Sequence, residues 1–211
     1  DEPIARRVQF LTDYQHAAYA QRHAALAAQV GQAEARAMPG ITDLTEAVAR
    51  YHFKLLAIKD EYEVARLYAE TDFVERVAAQ IDGAFTLRFH MAPPIFSKAD
   101  PATGVPRKTT FGPWLMKAMR VLAKLRRYRG TALDVFGRSA ERRMERVLLT
   151  EYESIVGEIV AKLAPANHAT AVELASVPEH IRGYGHVKER HVRTAKAREA
   201  ALLAAFRSPG A

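Results

Sequence analysis

Apolar residues recur every three or four positions through most of this chain, and between Ala84 and Thr110 that period gives way to alternation. A chain patterned in this way must bury helix stripes over most of its length and fit in one short extended insertion. Pro3 suits a first helical turn, and the apolar and alanine positions from Ile4 to Val30 predict a helix reaching about Arg36, stopped by Pro39-Gly40. Asp43, with Glu46 three residues on, reads as an N-cap with capping-box character. Val48, Tyr51, Leu55, Ile58, Tyr62 and Ala65 then share one face of a second long helix. Asp72 and Glu75 repeat the start signal for a shorter helix closing near Asp82-Gly83.

Phe85, Leu87 and Phe89 alternate with Thr86, Arg88 and His90, the pattern of a half-buried strand. Pro93-Pro94 stops it, and the turn-rich Asp100–Pro106 segment leads to a second extended piece, Arg107–Phe111. A lone strand would leave its backbone unpaired, so a two-stranded ribbon is expected within residues 84–111. Pro113 starts a helix to about Tyr128, and Ser139 caps a long helix to about Leu163 that Pro165 ends. Asn167 caps a short helix, Ser176-Val177-Pro178 begins a turn, and Gly183-Tyr184-Gly185 breaks the chain before a last helix over His186–Phe206. The expected fold is mostly α: a single multi-helix domain over residues 1–211 with a small two-stranded β insertion.

The 211 residues suffice for a real core, and they include no cysteine. That excludes disulfides, cysteine zinc sites, cysteine-ligated iron–sulfur clusters and a thiol nucleophile within this chain. No apolar run approaches the roughly 20 residues that cross a bilayer, and no signal-peptide pattern is present, so a cytoplasmic setting is expected. A start at Asp1 rather than Met is what a processed product, or a piece of something longer, would show. The net charge of +7 is concentrated: residues 101–138 carry nine Lys/Arg and one acid, Asp134. The remainder is close to neutral, so the chain has a local basic patch.

Spacing yields no complete catalytic or metal-binding set. Among eight histidines, His186 and His191 are five apart and His16 and His23 seven apart, which does not place two ligands on one helix face. No metal ligand is assigned. Asp60, Glu61 and Glu63 resemble an acid–base cluster, but Lys54, Lys59 and Arg66 lie within a turn or two, as on a salt-bridged helix face. Gly137-Arg138-Ser139-Ala140-Glu141 lacks the second glycine of a nucleophile elbow and reads as a helix cap. No catalytic residue is assigned either.

Two sets of residues remain as candidates. Gly183-Tyr184-Gly185 enters a helix with Arg182 before it and His186 and Lys188 in the first turn. Such a turn could hold a phosphate or carboxylate, or serve only as a tight connection. Lys117, Arg120, Lys124 and Arg127 form a basic stripe at helical spacing, with Ala118, Val121, Leu122, Leu125 and Tyr128 on another face. Without a recognition motif or interleaved aromatics, the stripe fits a solvated face or a dock for an acidic protein better than a nucleic-acid site.

Several blocks, in order, carry a resemblance: YHFKLLAIKDEYEVARLY (Tyr51–Tyr68), LRFHMAPP (Leu87–Pro94), DPATGVPRK (Asp100–Lys108), FGPW (Phe111–Trp114), Phe136-Gly137 with SAERRMER (Ser139–Arg146), and ELASVPEHIRGYGHVKER. With the N-terminal ARRVQFLTDYQ they cover nearly the whole chain, which resembles the C-terminal region of the fused indolepyruvate (2-oxoacid):ferredoxin oxidoreductases. The resemblance implies a parent enzyme that decarboxylates an aryl or branched 2-oxoacid to acyl-CoA with reduction of ferredoxin. It would use thiamine diphosphate, CoA and iron–sulfur clusters held elsewhere in the parent. This chain lacks a diphosphate-binding GDG pattern, so no family catalytic residue transfers to it and the isolated chain is expected to be inactive.

Three roles follow as expectations. The first is an accessory structural or docking domain whose partners are the parent's other domains and, through the parent, ferredoxin. The second is a module reaching CoA or a 2-oxoacid through Arg182, Tyr184, His186 and Lys188. The third, less favoured, is an independent basic nucleic-acid-binding protein.

Overall fold

The computed structural model describes residues 2–91 and 108–208. Among them lie nine α-helices: α1 (Glu2–Tyr14), α2 (Ala17–Ala37), α3 (Asp43–Leu56), α4 (Glu61–Ala69), α5 (Phe73–Ala78), α6 (Leu115–Lys124), α7 (Ala140–Lys162), α8 (His168–Ser176) and α9 (Gly185–Arg207). Two three-residue strands, β1 (Phe89–Met91) and β2 (Thr109–Phe111), pair antiparallel with Phe89 opposite Phe111. The mostly helical fold with a small β insertion is therefore as the sequence pattern predicts. The expected stop at Pro93-Pro94 and the Asp100–Pro106 turn lie outside the described residues.

Backbone contacts divide the chain into two compact units, Asp1–Ile58 with Val135–Ala211, and Lys59–Asp134. In the first, α7 shows how the stripe works. Leu148 and Leu149, then Tyr152, Val156 and Ile159 at steps of three or four, are its buried apolar positions. Leu148, Tyr152, Val156 and Ile159 meet Val30 of α2, Leu44, Val48 and Tyr51 of α3, Leu174 of α8 and Phe206 of α9. Side chains of this size gain about 1.5–3 kcal/mol each on full burial. Leu11 and Tyr14 of α1 build a smaller cluster with Ala20, Leu56 and Leu149.

The second unit is small and its core correspondingly thin. Ala65 of α4, Phe89 of β1, and Met119 and Ala123 of α6 form its buried centre. Tyr68 meets Phe89 edge-on, with ring centroids 5.7 Å apart. Charged groups clamp its ends. Asp60 accepts from Glu63 N to cap α4 and also takes both arms of Arg129, at 2.6 and 2.9 Å. Asp134 accepts from Tyr62 Oη and from Gly130 N.

Two long helices expected from the pattern are each broken. The Ile4–Arg36 run is interrupted at Gln15-His16, where His16 is extended and its imidazole accepts from Tyr19 N to start α2. The Val48–Ala65 face is interrupted after Leu56, because Asp60 caps a new helix. Asp60, Glu61 and Glu63 therefore form a helix start, with Glu63 chelating Arg66 at 2.7 and 2.8 Å. Ser139 caps α7 as expected, accepting from Arg142 N. Asn167 instead closes the preceding turn, accepting from Ala164 N and donating to Lys162 O.

Candidate functional site

The turn before α9 has the backbone its glycines imply. Gly183 and Gly185 have φ of +86° and +53°, which L side chains rarely adopt. A Cβ on Gly183 would lie 2.9 Å from Val187 Cγ1, so the turn closes tightly on its own helix. Tyr184 and His186 are exposed. The two cations of the turn are each engaged: Arg182 with the backbone and carboxylate of Glu179, Lys188 with Glu145 of α7. Both lie in the neighbourhood of Lys54, whose Nζ donates to Pro178 O at 2.7 Å and Glu179 O at 3.2 Å. Burial and the charges of Arg182 and Lys188 hold the Lys54 ammonium below its usual pKa, while Glu179 acts in the opposite sense. The structure thus gathers three cations around Glu179 and Glu145, with each carboxylate already bound to part of the set.

The basic stripe sorts itself by direction. Arg126 turns inward to Glu70 and Ala123 O, and Arg129 to Asp60. Lys117, Arg120, Lys124 and Arg127 are exposed, and among the described residues no carboxylate pairs with them. Arg127 lies over its neighbour Tyr128, 4.9 Å from the ring centroid. The packed face of α6 is Met119 and Ala123. Val121 and Leu125 instead stand out, 62% and 38% exposed, in line with Trp114 at 60%. Positions 114, 121 and 125 share a helix side, so an apolar ridge runs beside the cations.

A polar chain in the first unit, buried at its histidine end, escapes any reading of single-helix spacing. His23 of α2 and His52 of α3 are both fully buried, with their Nδ1 atoms 3.3 Å apart. His52 Nε2 lies 2.9 Å from Glu153 of α7, which also binds Arg22 at 2.5 Å. Burial raises the Glu153 pKa, but hydrogen bonds from His52 and Arg22 outweigh it and leave the group below its usual value. A carboxylate can only accept, so His52 donates through Nε2. Its Nδ1 meets His23 Nδ1, a contact in which one ring nitrogen donates and the other accepts. His23 Nε2 is buried with no hydrogen-bond partner. Burial, then the neighbouring His52 and Arg7, push the His23 pKa down to about 4.

A buried carboxylate in the same unit is fully satisfied. Glu34 of α2 accepts from Leu44 N, Thr45 N and Thr45 Oγ1 at 2.6–2.8 Å, and binds His168 Nε2 at 2.7 Å. It caps α3 from outside in place of Asp43, whose own helix start makes no side-chain cap. Burial raises its pKa, and these hydrogen bonds more than reverse the effect. This is a structural tie between three helices rather than an open site.

A model of the family of unknown function DUF6537 matches residues 1–201. The chain belongs to that family. No curated protein and no solved structure matches it. Membership in DUF6537 comes without an assigned activity, so chemistry must be argued from the residues. Among the described residues no group of three His, Asp or Glu is placed to hold a metal ion, and no helix is long and apolar enough to cross a membrane.

Proposed function

We propose that this DUF6537 domain is an accessory docking domain of a cytoplasmic 2-oxoacid:ferredoxin oxidoreductase, and that the outer face of α6 seats it on an acidic surface of a neighbouring domain. The observation that carries the docking role is the α6 face itself. Trp114, Val121 and Leu125 are exposed in a line beside Lys117, Arg120 and Lys124, and those cations are unpaired among the described residues. Like charges at helical spacing repel by a few tenths of a kcal/mol per pair when exposed. An acidic partner reverses that sign, and desolvated aromatic and aliphatic side chains at the centre of a charged rim are the usual anatomy of an interface.

The enzyme assignment rests on the ordered sequence blocks from Tyr51 to the start of α9. Thiamine diphosphate, CoA and the clusters would be held by other parts of the parent. With no cysteine in the chain there is nothing here to ligate a cluster, and no catalytic step is derived from these residues.

The test is charge reversal, K117E/R120E/K124E, in the full-length polypeptide. The expected result is impaired assembly with loss of both decarboxylation and ferredoxin reduction. Unchanged assembly with full activity would refute docking through α6. Loss of ferredoxin reduction alone, relieved as salt is lowered, would make the face a ferredoxin dock and refute the intramolecular seat.

A further inference from the structure

His23 of α2 and His52 of α3 face each other through their Nδ1 atoms, 3.3 Å apart, and neither ring reaches solvent. A contact of that kind between two ring nitrogens holds one hydrogen. With none, two lone pairs would meet; with two, both nitrogens would donate and neither could accept. The far end of the pair is fixed independently. Glu153 of α7 lies 2.9 Å from His52 Nε2 and also binds the partly exposed Arg22 of α2. The carboxylate accepts, so the hydrogen at that end belongs to His52 Nε2.

These two conditions leave the closed pair two proton counts. With one proton on each ring, His52 is protonated on Nε2 and accepts at Nδ1. His23 then carries its proton on Nδ1 and its Nε2 is bare. With one proton more, His52 is protonated on both nitrogens and donates through both. His23 then accepts at Nδ1 and carries its own proton on Nε2. The added charge settles on His52, because the Glu153 carboxylate stands against that ring, whereas the charge of Arg7 on α1 bears on His23. Tyr152 of α7 stacks on the His52 ring with centroids 6.2 Å apart, but its hydroxyl donates to Ala175 O and stays out of the exchange. A second added proton would set N–H against N–H and charge against charge across the same contact. Burial, His52 and Arg7 accordingly hold the pKa of His23 down to about 4.

We propose that His23 and His52 form a one-proton switch: uptake of a single proton by the closed pair inverts the tautomer of His23, and a second proton parts α2 from α3 at this contact. The protons balance within the pair. His23 passes its Nδ1 proton to His52 Nδ1, and the proton taken from water ends on His23 Nε2. Inversion is open to His23 because its Nε2 has no hydrogen-bond partner in the structure. A carbonyl or an amide bonded there would lock the ring in one form. Glu153 and Arg22 set the sensitivity of the switch from the rim of the unit, where the chain of contacts meets solvent.

The test is ¹⁵N NMR of the histidine rings in the 211-residue chain, titrated from about pH 9 to about pH 5, since the nitrogen shift tells a bare ring nitrogen from a protonated one. His52 Nε2 should stay protonated throughout. His52 Nδ1 and His23 Nε2 should each gain a proton while His23 Nδ1 loses one, all with a single midpoint that belongs to the pair. Glu153→Gln keeps an acceptor for His52 Nε2 and removes the charge beside it. That variant should lower the common midpoint by about one unit or more, at His23 as much as at His52, although residue 153 touches only the His52 ring. Retention of the His23 Nδ1 proton through the step overturns the proposal, as do separate midpoints for the two rings or a Glu153→Gln shift confined to His52. Absence of any step in that range, or unfolding of the chain before it, overturns it as well. The inversion in the wild type decides the matter by itself if the variant does not fold.

Discussion

Acidification should loosen the helices around His23 by an amount that its burial sets. The imidazole has an ordinary pKa of 6.5 and is pushed down to about 4 in the folded chain. A group whose folded pKa is depressed binds its proton in the unfolded state first. Stability is therefore present above about pH 6.5, falls as the pH drops below it, and the loss is complete below about pH 4. Between pH 7.5 and pH 5 the linkage integral is about 2 kcal/mol, roughly a thirtyfold change in the opening equilibrium. Glu153 and Glu34, whose folded pKa values are also lowered, act in the same direction at more acidic pH. The His23 share is isolated with His23→Asn, which keeps a hydrogen-bonding group toward His52 Nδ1 and does not titrate. Native-state hydrogen exchange at the buried amides of Val48 and Leu56, in the same unit as His23, measures the opening free energy. The wild type should lose about 2 kcal/mol more than His23→Asn over that pH range. Equal losses in the two proteins would show that His23 is solvated or otherwise partnered.

Two substitutions probe the helix junctions. Gly183→Ala forces a Cβ to within 2.9 Å of Val187 Cγ1 at a φ of +86°, and should cost roughly 1–3 kcal/mol in urea unfolding; a neutral result would mean that the turn relaxes freely. Glu34→Ala removes the acceptor for Leu44 N, Thr45 N and Thr45 Oγ1 and leaves His168 without its carboxylate, with an expected loss of about 3 kcal/mol or more. A loss under about 1 kcal/mol would show that α3 caps itself.

What the sequence made legible is what local chemistry decides. Ser139 starts α7 and the glycines at 183 and 185 take positive φ, because caps and left-handed turns depend on a few adjacent atoms. The breaks at His16 and Asp60 were not legible, since apolar positions recur on both sides of each and mask the cap between them. The alternation at Phe85–Phe89 marks an extended segment, yet pairing begins only at Phe89, where Phe111 stands opposite. His23 and His52 meet because α2 packs on α3, and a search for ligands on one helix passes over a pair 29 residues apart. Val121 and Leu125 belong to the apolar face that spacing sets apart from the basic stripe, whereas the buried residues of α6 are Met119 and Ala123.

The docking claim is tested most directly at Trp114. Its side chain is 60% exposed in this chain, at the head of the α6 ridge. Hydroxyl-radical footprinting with mass spectrometry compares its oxidation rate in the isolated chain and in the full-length oxidoreductase polypeptide. Docking through α6 predicts that Trp114 oxidises several-fold more slowly in the full-length protein, while exposed Tyr184, outside the ridge, keeps its rate. Equal Trp114 rates in the two would contradict it.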